Sequence, residues 1–516
     1  MADKQIILDG GSLTLEHIER VISEPSLQIT ISQKQFPRIK ASFDLVNKEQ
    51  KERITYGVNT GFGPMASYLL GRDQLVELQY NLLRSHAVGM GDPIPEKFVL
   101  AAMVVRLNTL LKGYSGVSIE LIETLQKLIN HRLIPIIPEH GAVGTSGDLV
   151  QLAHIGLAVI GEGEVTYKGK RMDTYKALTL AKLKPHKLHP KEGLSLINGT
   201  SAMTGIAACV LADAGRLLQT AIQTGSISLE LVNGFQDSFS KELHAVRPHP
   251  GQVGVAESIR NTLVSSKRLR NRDEFSKSSV INHDVYQIPE SVQEVYSLRC
   301  IAQILGPVAE TLNEAGKVVE IEMNSVTDNP IVDTQKNTFL HGGNFHGDYV
   351  ANAMDKVKAV IVKLSMLSER RINFFLNKNV NKTFPPFLNL KKPGLTLALQ
   401  GLQFVATSTT ADNQSLAYPH YVHSIPTNGD NQDVVSMGTD AALFANKVIE
   451  NTYIVQAIEA VTIAQAMDVV QNFQDFATPT QKFYTAVRKV LPKIVEDRLL
   501  YKQLPKVVEL LKTGMK

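Results

Sequence analysis

Apolar residues recur along most of this chain three and four positions apart, the period of a helix with one buried face. Across residues 301–319 they fall at Ile301, Ile304, Leu305, Val308, Leu312, Ala315 and Val319. Across residues 350–372 they fall at Val350, Met354, Val357, Ile361, Leu364 and Ile372. Each stripe persists over several turns and predicts a long helix of the kind that packs into bundles. Helical patterning also covers residues 73–130, and the apolar run Leu149–Ile160 follows soon after. Thr14 opens an earlier helix through T-L-E-H, a weak capping box. Strand signals are few: a short run at Gln5–Leu8, and an alternating stretch at 164–172 that turns at Lys168-Gly169 like a small hairpin. Residues 56–64 (YGVNTGFGP) and 134–147 (IPIIPEHGAVGTSG) carry too much Gly and Pro for a regular element and are predicted loops. The pattern is that of a mainly α protein.

Composition narrows the class without supplying chemistry. The 516 residues are 43% hydrophobic, which is ample for a core and excludes a disordered chain. Lys+Arg 54 against Asp+Glu 50 leaves +4, with no basic arm for nucleic acid, and 267–277 (KRLRNRDEFSK) is predicted to be a solvated loop. Cys209 and Cys300 build no disulfide framework and no CxxC metal site. No basic-then-apolar leader opens the chain, and no unbroken apolar run reaches the ~18 residues of a membrane span, so a cytoplasmic protein is expected. Met354, Met366 and Met467 are expected core filler. The pairs His341/His346 and His244/His249 lack acidic or cysteine partners and are expected to be ordinary hydrogen-bonded loop histidines, with no metal.

Standard catalytic motifs are absent: no phosphate loop, no HExxH, no GxSxG around Ser146. What remains is Gly144-Thr145-Ser146-Gly147-Asp148. In such a triplet the nitrogen of Gly147 can attack the Thr145 carbonyl while Ser146 loses its hydroxyl, leaving an exocyclic methylene. Glycine is needed third because a Cβ would obstruct the attack, whereas the first side chain stays outside the ring. By itself Ser-Gly-Asp occurs in many turns and reads as a plain one.

The surrounding segments go further. GTSGDLVQLAHIGLAVIGEGEV, with YGVNTGFGP, NLLRSHAVGMG, RLNTLLKGYSGV, LINGT, VYSLRC, NSVTDNP, GGNFHGDY and YVHSIPTNGDNQDVVSMG, resembles the aromatic amino acid and histidine ammonia-lyases from about residue 5 to 510. The overall pattern looks most like bacterial tyrosine ammonia-lyases. The resemblance implies an ammonia-lyase and fumarase-like fold: residues 1–200 carrying a lid loop (56–64) and a prosthetic-group loop (140–148), then a long antiparallel helical bundle over 201–516, without the C-terminal shielding domain of plant relatives. It implies 4-methylideneimidazole-5-one (MIO) formed from Thr145, Ser146 and Gly147, although the family usually has Ala first. It implies Tyr56 as the base, Tyr296 in proton traffic, and Arg299 as the carboxylate clamp, whose planar fork suits two parallel bonds. Asn198 and Gln293 would orient the substrate or the MIO oxygen, Phe345 would pack on the ring, and Gln432 falls on another site position. A homotetramer sharing sites between subunits is also implied.

The substrate ring rests on Ser85-His86, a pair that goes with histidine in the family but also occurs in tyrosine lyases. Histidine lyases use a Glu where this chain has Asp412, His-Pro where it has Tyr418-Pro419, and Asn-Gln-Glu-Asp where it has Asn431-Gln432-Asp433. The expectation is tyrosine first, histidine second and phenylalanine as a side activity. A β-amino-acid-forming aminomutase, which a Thr in first place also accompanies, and a non-catalytic helical scaffold are the alternatives.

Overall fold

The computed structural model describes residues 4–50, 52–277, 285 and 291–514. Residues 1–3, at the head of the segment read for a leader, lie outside the described residues. The fold is a mainly α helical bundle, and strands among the described residues run two to four residues each. Its long members are Ser201–Leu231, Ile301–Met323, Asp348–Leu376 and Gly438–Met467. The predicted stripes fall inside the second and third of these, with Leu305, Val308 and Val319, then Val350, Val357 and Ile361, fully or almost fully buried.

By compactness the chain divides into two units, each built from three segments. The first comprises residues 1–212, 315–355 and 419–444; the second comprises 213–314, 356–418 and 445–516. In the first, the helix Glu96–Leu111 is enclosed on every side, with Phe98 to Leu111 all buried. A Cβ on Gly205 would stand 2.4 Å from the backbone nitrogen of Ala102, so a glycine there lets two helices touch at their backbones. Thr14 caps its helix as expected: its hydroxyl accepts the His17 N–H at 3.2 Å, and His17 Nδ1 accepts the Thr14 N–H at 3.3 Å. The hairpin forms from Glu164–Tyr167 and Lys170–Asp173, with Lys168 (φ 51°) and Gly169 (φ 73°) both left-handed as a two-residue turn requires.

Several expectations need correction. The helical stretch from residue 73 is interrupted by the short strand Met90–Pro93, where Gly89, Gly91 and Pro93 cannot sustain a helix. The predicted loop at 134–147 supplies two short strands, Ile134–Pro135 on the hairpin and Pro138–His140 against Met90–Pro93, because each finds an edge to pair with. The stretch 267–277 is not a solvated loop. Arg270 and Arg272 stack on the Phe235 ring at 4.0 and 3.9 Å, Arg268 donates to the Glu230 carbonyl at 2.9 Å, and Arg272–Lys277 is helical. The helix Ser201–Leu231 is long and apolar enough to cross a membrane by composition, yet 83% of its most apolar window is buried inside the protein. Its Thr220, Thr224, Ser226 and Ser228 hydroxyls donate to carbonyls four residues back, which lets polar side chains sit in that core. Met354 and Met467 are buried in the core, and Met366 is half-buried.

Candidate active site

A cavity of about 870 Å³ opens in the first unit, and every residue in its wall belongs to that unit. Thr145 and Ser146 form part of the wall. Their turn is held in a conformation that only glycine tolerates at two positions: Gly144 has φ 79° and Gly147 has φ 71°. A Cβ on Gly147 would lie 1.9 Å from the Gly199 carbonyl oxygen, and one on Gly144 would lie 2.0 Å from Ser436 Oγ. The Gly144 carbonyl accepts the Gly347 N–H and the Ser436 hydroxyl, both at 3.0 Å. Asp148 N–H donates to the Gly199 carbonyl at 2.8 Å.

Two donors converge on the Ser146 carbonyl oxygen: Asn198 Nδ2 at 3.0 Å and Gly199 N at 3.2 Å. Asn198 Oδ1 is buried without a partner in the same wall. Gln432 bridges the other side of the turn, its Oε1 accepting the Thr145 hydroxyl at 2.6 Å and its Nε2 donating to Ser146 Oγ at 2.9 Å.

Behind the turn lies a dry layer of charge. Asp148 is fully buried and accepts the Thr439 hydroxyl at 2.6 Å and the Met203 N–H at 2.8 Å. Burial pushes its carboxyl up to about 6, against the pull of those bonds and of Arg106. Arg106, also fully buried, donates Nη1 to the carbonyls of Ser195 (3.2 Å) and Asn198 (3.0 Å), so the backbone that carries Asn198 is fastened from beneath. Burial lowers its guanidinium to about 10 despite nearby Asp328 and Asp148.

Tyr56 enters the cavity from the Gly-rich loop. Its hydroxyl accepts the Gly63 N–H at 3.2 Å, and Phe62 meets its ring edge-on at 6.2 Å. Ser85 and His86 end the helix Leu75–His86 on another wall. The His86 Nδ1 stands 3.0 Å from the Leu82 carbonyl, which can only accept. Ser85 Oγ lies at the same 3.0 Å from Nδ1, and in the tautomer that carries its proton there, facing the Leu82 carbonyl, Nε2 is left as an acceptor. Burial favours the neutral form and lowers the His86 pKa, against the Leu82 bond, which favours the charged one. Phe345 completes the set on the wall. Tyr296, Arg299, Gln293 and Asp412 belong to the second unit and are not in the wall. There, Arg299 lies over the Tyr296 ring at 4.6 Å and donates Nε to the Glu294 carbonyl at 2.9 Å. The Gln293 carbonyl accepts the Ser291 hydroxyl at 2.6 Å, and Asp412 accepts Asn451 Nδ2 at 2.7 Å.

A family model described as aromatic amino acid lyase matches residues 13–489. The chain belongs to the aromatic amino acid lyase family. It is thus an MIO-type carbon–nitrogen lyase or aminomutase acting on an aromatic amino acid. The chain is 39% identical over 495 residues to a histidine ammonia-lyase of Bacillus velezensis, covering 96% of the chain and 93% of the relative. A tyrosine aminomutase from Streptomyces globisporus superposes with TM-score 0.95 at 35% identity, over 99% of this chain and 97% of the other. A histidine ammonia-lyase from Trypanosoma cruzi does so with TM-score 0.88 at 31% identity, over 99% and 94%.

The turn fits the family's prosthetic group on its own geometry. Gly147 sits where no Cβ is admitted, and the Ser146 carbonyl is gripped by two donors. Other polar residues also line the cavity, namely Asn81, Asn329, Asn428, Asn431 and Asp433, as do His341 and His346, which the sequence suggests are ordinary loop histidines. His346 also stands 3.2 Å from the Val434 carbonyl. The signal was there for the asparagines: Asn81 opens NLLRSHAVGMG, Asn329 lies in NSVTDNP, and Asn428 and Asn431 lie in the segment that contains Gln432.

Proposed function

We propose that this lyase closes Thr145-Ser146-Gly147 into MIO and uses it to eliminate ammonia from L-histidine, giving urocanate, with L-tyrosine to p-coumarate as the second reading. The observation that carries the chemistry is the Ser146 carbonyl under two donors, beside a glycine that admits no side chain. When formed, the ring supplies an electrophile that converts the substrate's amine into a better leaving group. The chain's own residues do the rest. Asn198 Nδ2 and Gly199 N–H draw electron density through the Ser146 oxygen. Tyr56 takes the β-proton, its oxygen stabilised by the Gly63 N–H.

The ring of the substrate meets His86 Nε2, an acceptor that suits an imidazole N–H or a phenol hydroxyl and offers nothing to a phenyl group. Histidine is placed first because curated relatives at 36–39% identity over nearly the whole chain are histidine ammonia-lyases. Tyrosine is kept as the second reading because Asp412 is one methylene shorter than the Glu that histidine lyases offer to an imidazole. The homologous tyrosine and phenylalanine aminomutases support an additional readout for β-amino acids. Steady-state assays on histidine, tyrosine and phenylalanine, with chromatographic product identification, test the reading. Urocanate released fastest supports it, whereas p-coumarate or a β-amino acid as the main product replaces it. The His86→Leu variant should lose about tenfold in kcat/KM on the preferred substrate and gain relative preference for phenylalanine, since it removes a polar partner from a partly dry wall.

Tyr296, Arg299 and Gln293 act, in this proposal, from another copy of the chain in a homotetramer. The support is that the cavity wall is drawn from the first unit alone.

A further inference from the structure

A fully buried arginine ordinarily lies against a carboxylate that neutralises it. Arg106 does not. Its Nε and Nη2 have no hydrogen-bond partner among the described residues, and Nη1 gives both of its bonds to carbonyls, Ser195 at 3.2 Å and Asn198 at 3.0 Å. Of the two acids near it, Asp328 is bonded to Lys191 Nζ at 3.2 Å, and Asp148 accepts from Thr439 and Met203. The guanidinium keeps its proton at neutral pH, since burial lowers it only to about 10. A cation is thereby aimed at backbone oxygen.

One of those oxygens belongs to a peptide with a second task. The Asn198–Gly199 unit places its carbonyl on Arg106 Nη1, while its N–H, from Gly199, donates to the Ser146 carbonyl at 3.2 Å. The two groups of one peptide share a resonance system, so a cation on the oxygen draws electrons from the nitrogen. The N–H becomes a stronger donor, as in any chain of hydrogen bonds that polarise one another. Its direction is fixed by the backbone, because a trans peptide holds C=O and N–H on opposite sides. Gly199, at φ 135°, makes the approach possible: a Cβ there would stand 2.5 Å from Arg106 Nη2. The Ser146 oxygen is where electron density gathers when the closed turn acts as an electrophile, so a stronger donor there speeds the reaction.

We propose that Arg106 is a positioning residue whose buried charge acts through the Asn198–Gly199 peptide to strengthen the donor on the Ser146 oxygen. The inference rests on the ring-forming reading above. The competing role is mechanical: Arg106 ties down two carbonyls at the end of the helix Glu192–Ile197 and its charge is immaterial. The test compares Arg106→Gln, which removes the charge, Arg106→Lys, which keeps it, and Asp328→Asn, which removes a negative neighbour of Arg106 and none of its bonds. Each is followed by intact mass, by steady-state kinetics on the wild type's best substrate, and by the ultraviolet band of the closed ring. The band is read as a difference from Ser146→Ala, in a chain without Trp to obscure it. A stronger donor on a conjugated carbonyl moves such a band to longer wavelength. Arg106→Gln should therefore move it to shorter wavelength and lower kcat about tenfold with KM within about twofold, as weakening of a transition-state donor requires. Arg106→Lys should recover most of both effects, and Asp328→Asn should move the band to longer wavelength. In an Asn198→Ala background, which keeps the peptide and loses the side chain, the effect of Arg106→Gln should persist. An unmoved band in ring-closed Arg106→Gln, a Lys variant as poor as the Gln one, or an effect that vanishes with Asn198→Ala overturns the proposal. If Arg106→Gln gives no folded, ring-closed protein, Asp328→Asn decides alone: a band unmoved or at shorter wavelength overturns it. A wild-type chain of full mass, or one without product from any of the three amino acids, sinks the ring-forming reading instead.

Discussion

Gly147 and Asn198 carry the sharpest expectations at the scale of single residues. A Gly147→Ala variant places a methyl group 1.9 Å from a backbone oxygen that has no room to yield. It should retain full mass and show no turnover, as should Ser146→Ala, which lacks the hydroxyl to be lost; intact mass spectrometry checks both. Asn198→Ala should keep the two-water loss yet drop kcat about 10²–10³-fold, the usual effect of removing one preorganised donor from an electron-withdrawing pair. Asp148 brings a pH dependence. Its folded pKa of about 6 lies above the ordinary 3.8, so the folded protein favours the protonated acid. The contribution to stability is therefore full below about pH 3.8 and is lost as pH rises through 6, on the order of 3 kcal/mol for a shift of this size. Between pH 4.5 and 7.5 the unfolding midpoint of the wild type should fall more than that of Asp148→Asn; parallel curves would refute this. The ring-forming triplet has local chemistry, a hydroxyl, a nitrogen and a carbonyl within three residues, yet it was legible only through the family resemblance of the segments around it. Asn198 was visible only through resemblance, since its partner Ser146 lies 52 positions away.

Helices were the legible elements, because a buried stripe must repeat at their period whatever they pack against. The short strands at 134–135 and 138–140 were not, since they owe their pairing to edges that lie elsewhere in the chain. The polar core of the second unit was also hidden. Arg371, in the helix Asp348–Leu376, and Glu459, in Gly438–Met467, form an ion pair at 2.5 Å with almost no exposure. Arg371 Nη2 also reaches the Ala221 carbonyl and Thr224 Oγ1, each at 3.3 Å. Nothing in a run such as SERRIN marks one arginine as buried and its neighbour Arg370 as exposed except helical phase. Removing one partner strands the other charge in a dry core, so Arg371→Met should cost about 3–5 kcal/mol in denaturant unfolding. The double variant with Glu459→Met should recover most of that loss.

The whole molecule poses the question of where the second unit's candidates act. Sharing of sites between copies predicts complementation. Tyr56→Phe and Arg299→Met should each be nearly inactive alone, while the two co-expressed should regain a fraction of wild-type turnover, because mixed assemblies contain some sites free of both changes. Activity no greater than the sum of the separate variants would confine each site to one chain. The grip on the turn bears on time as well as on space. Ser146 and Gly144 are held by Gly199, Gly347, Gln432 and Ser436, residues that leave the ribosome long after the turn itself. If the ring closes only inside that grip, its chromophore is a timestamp: absent on a nascent chain stalled before residue 432, and appearing in step with the last native contacts during refolding.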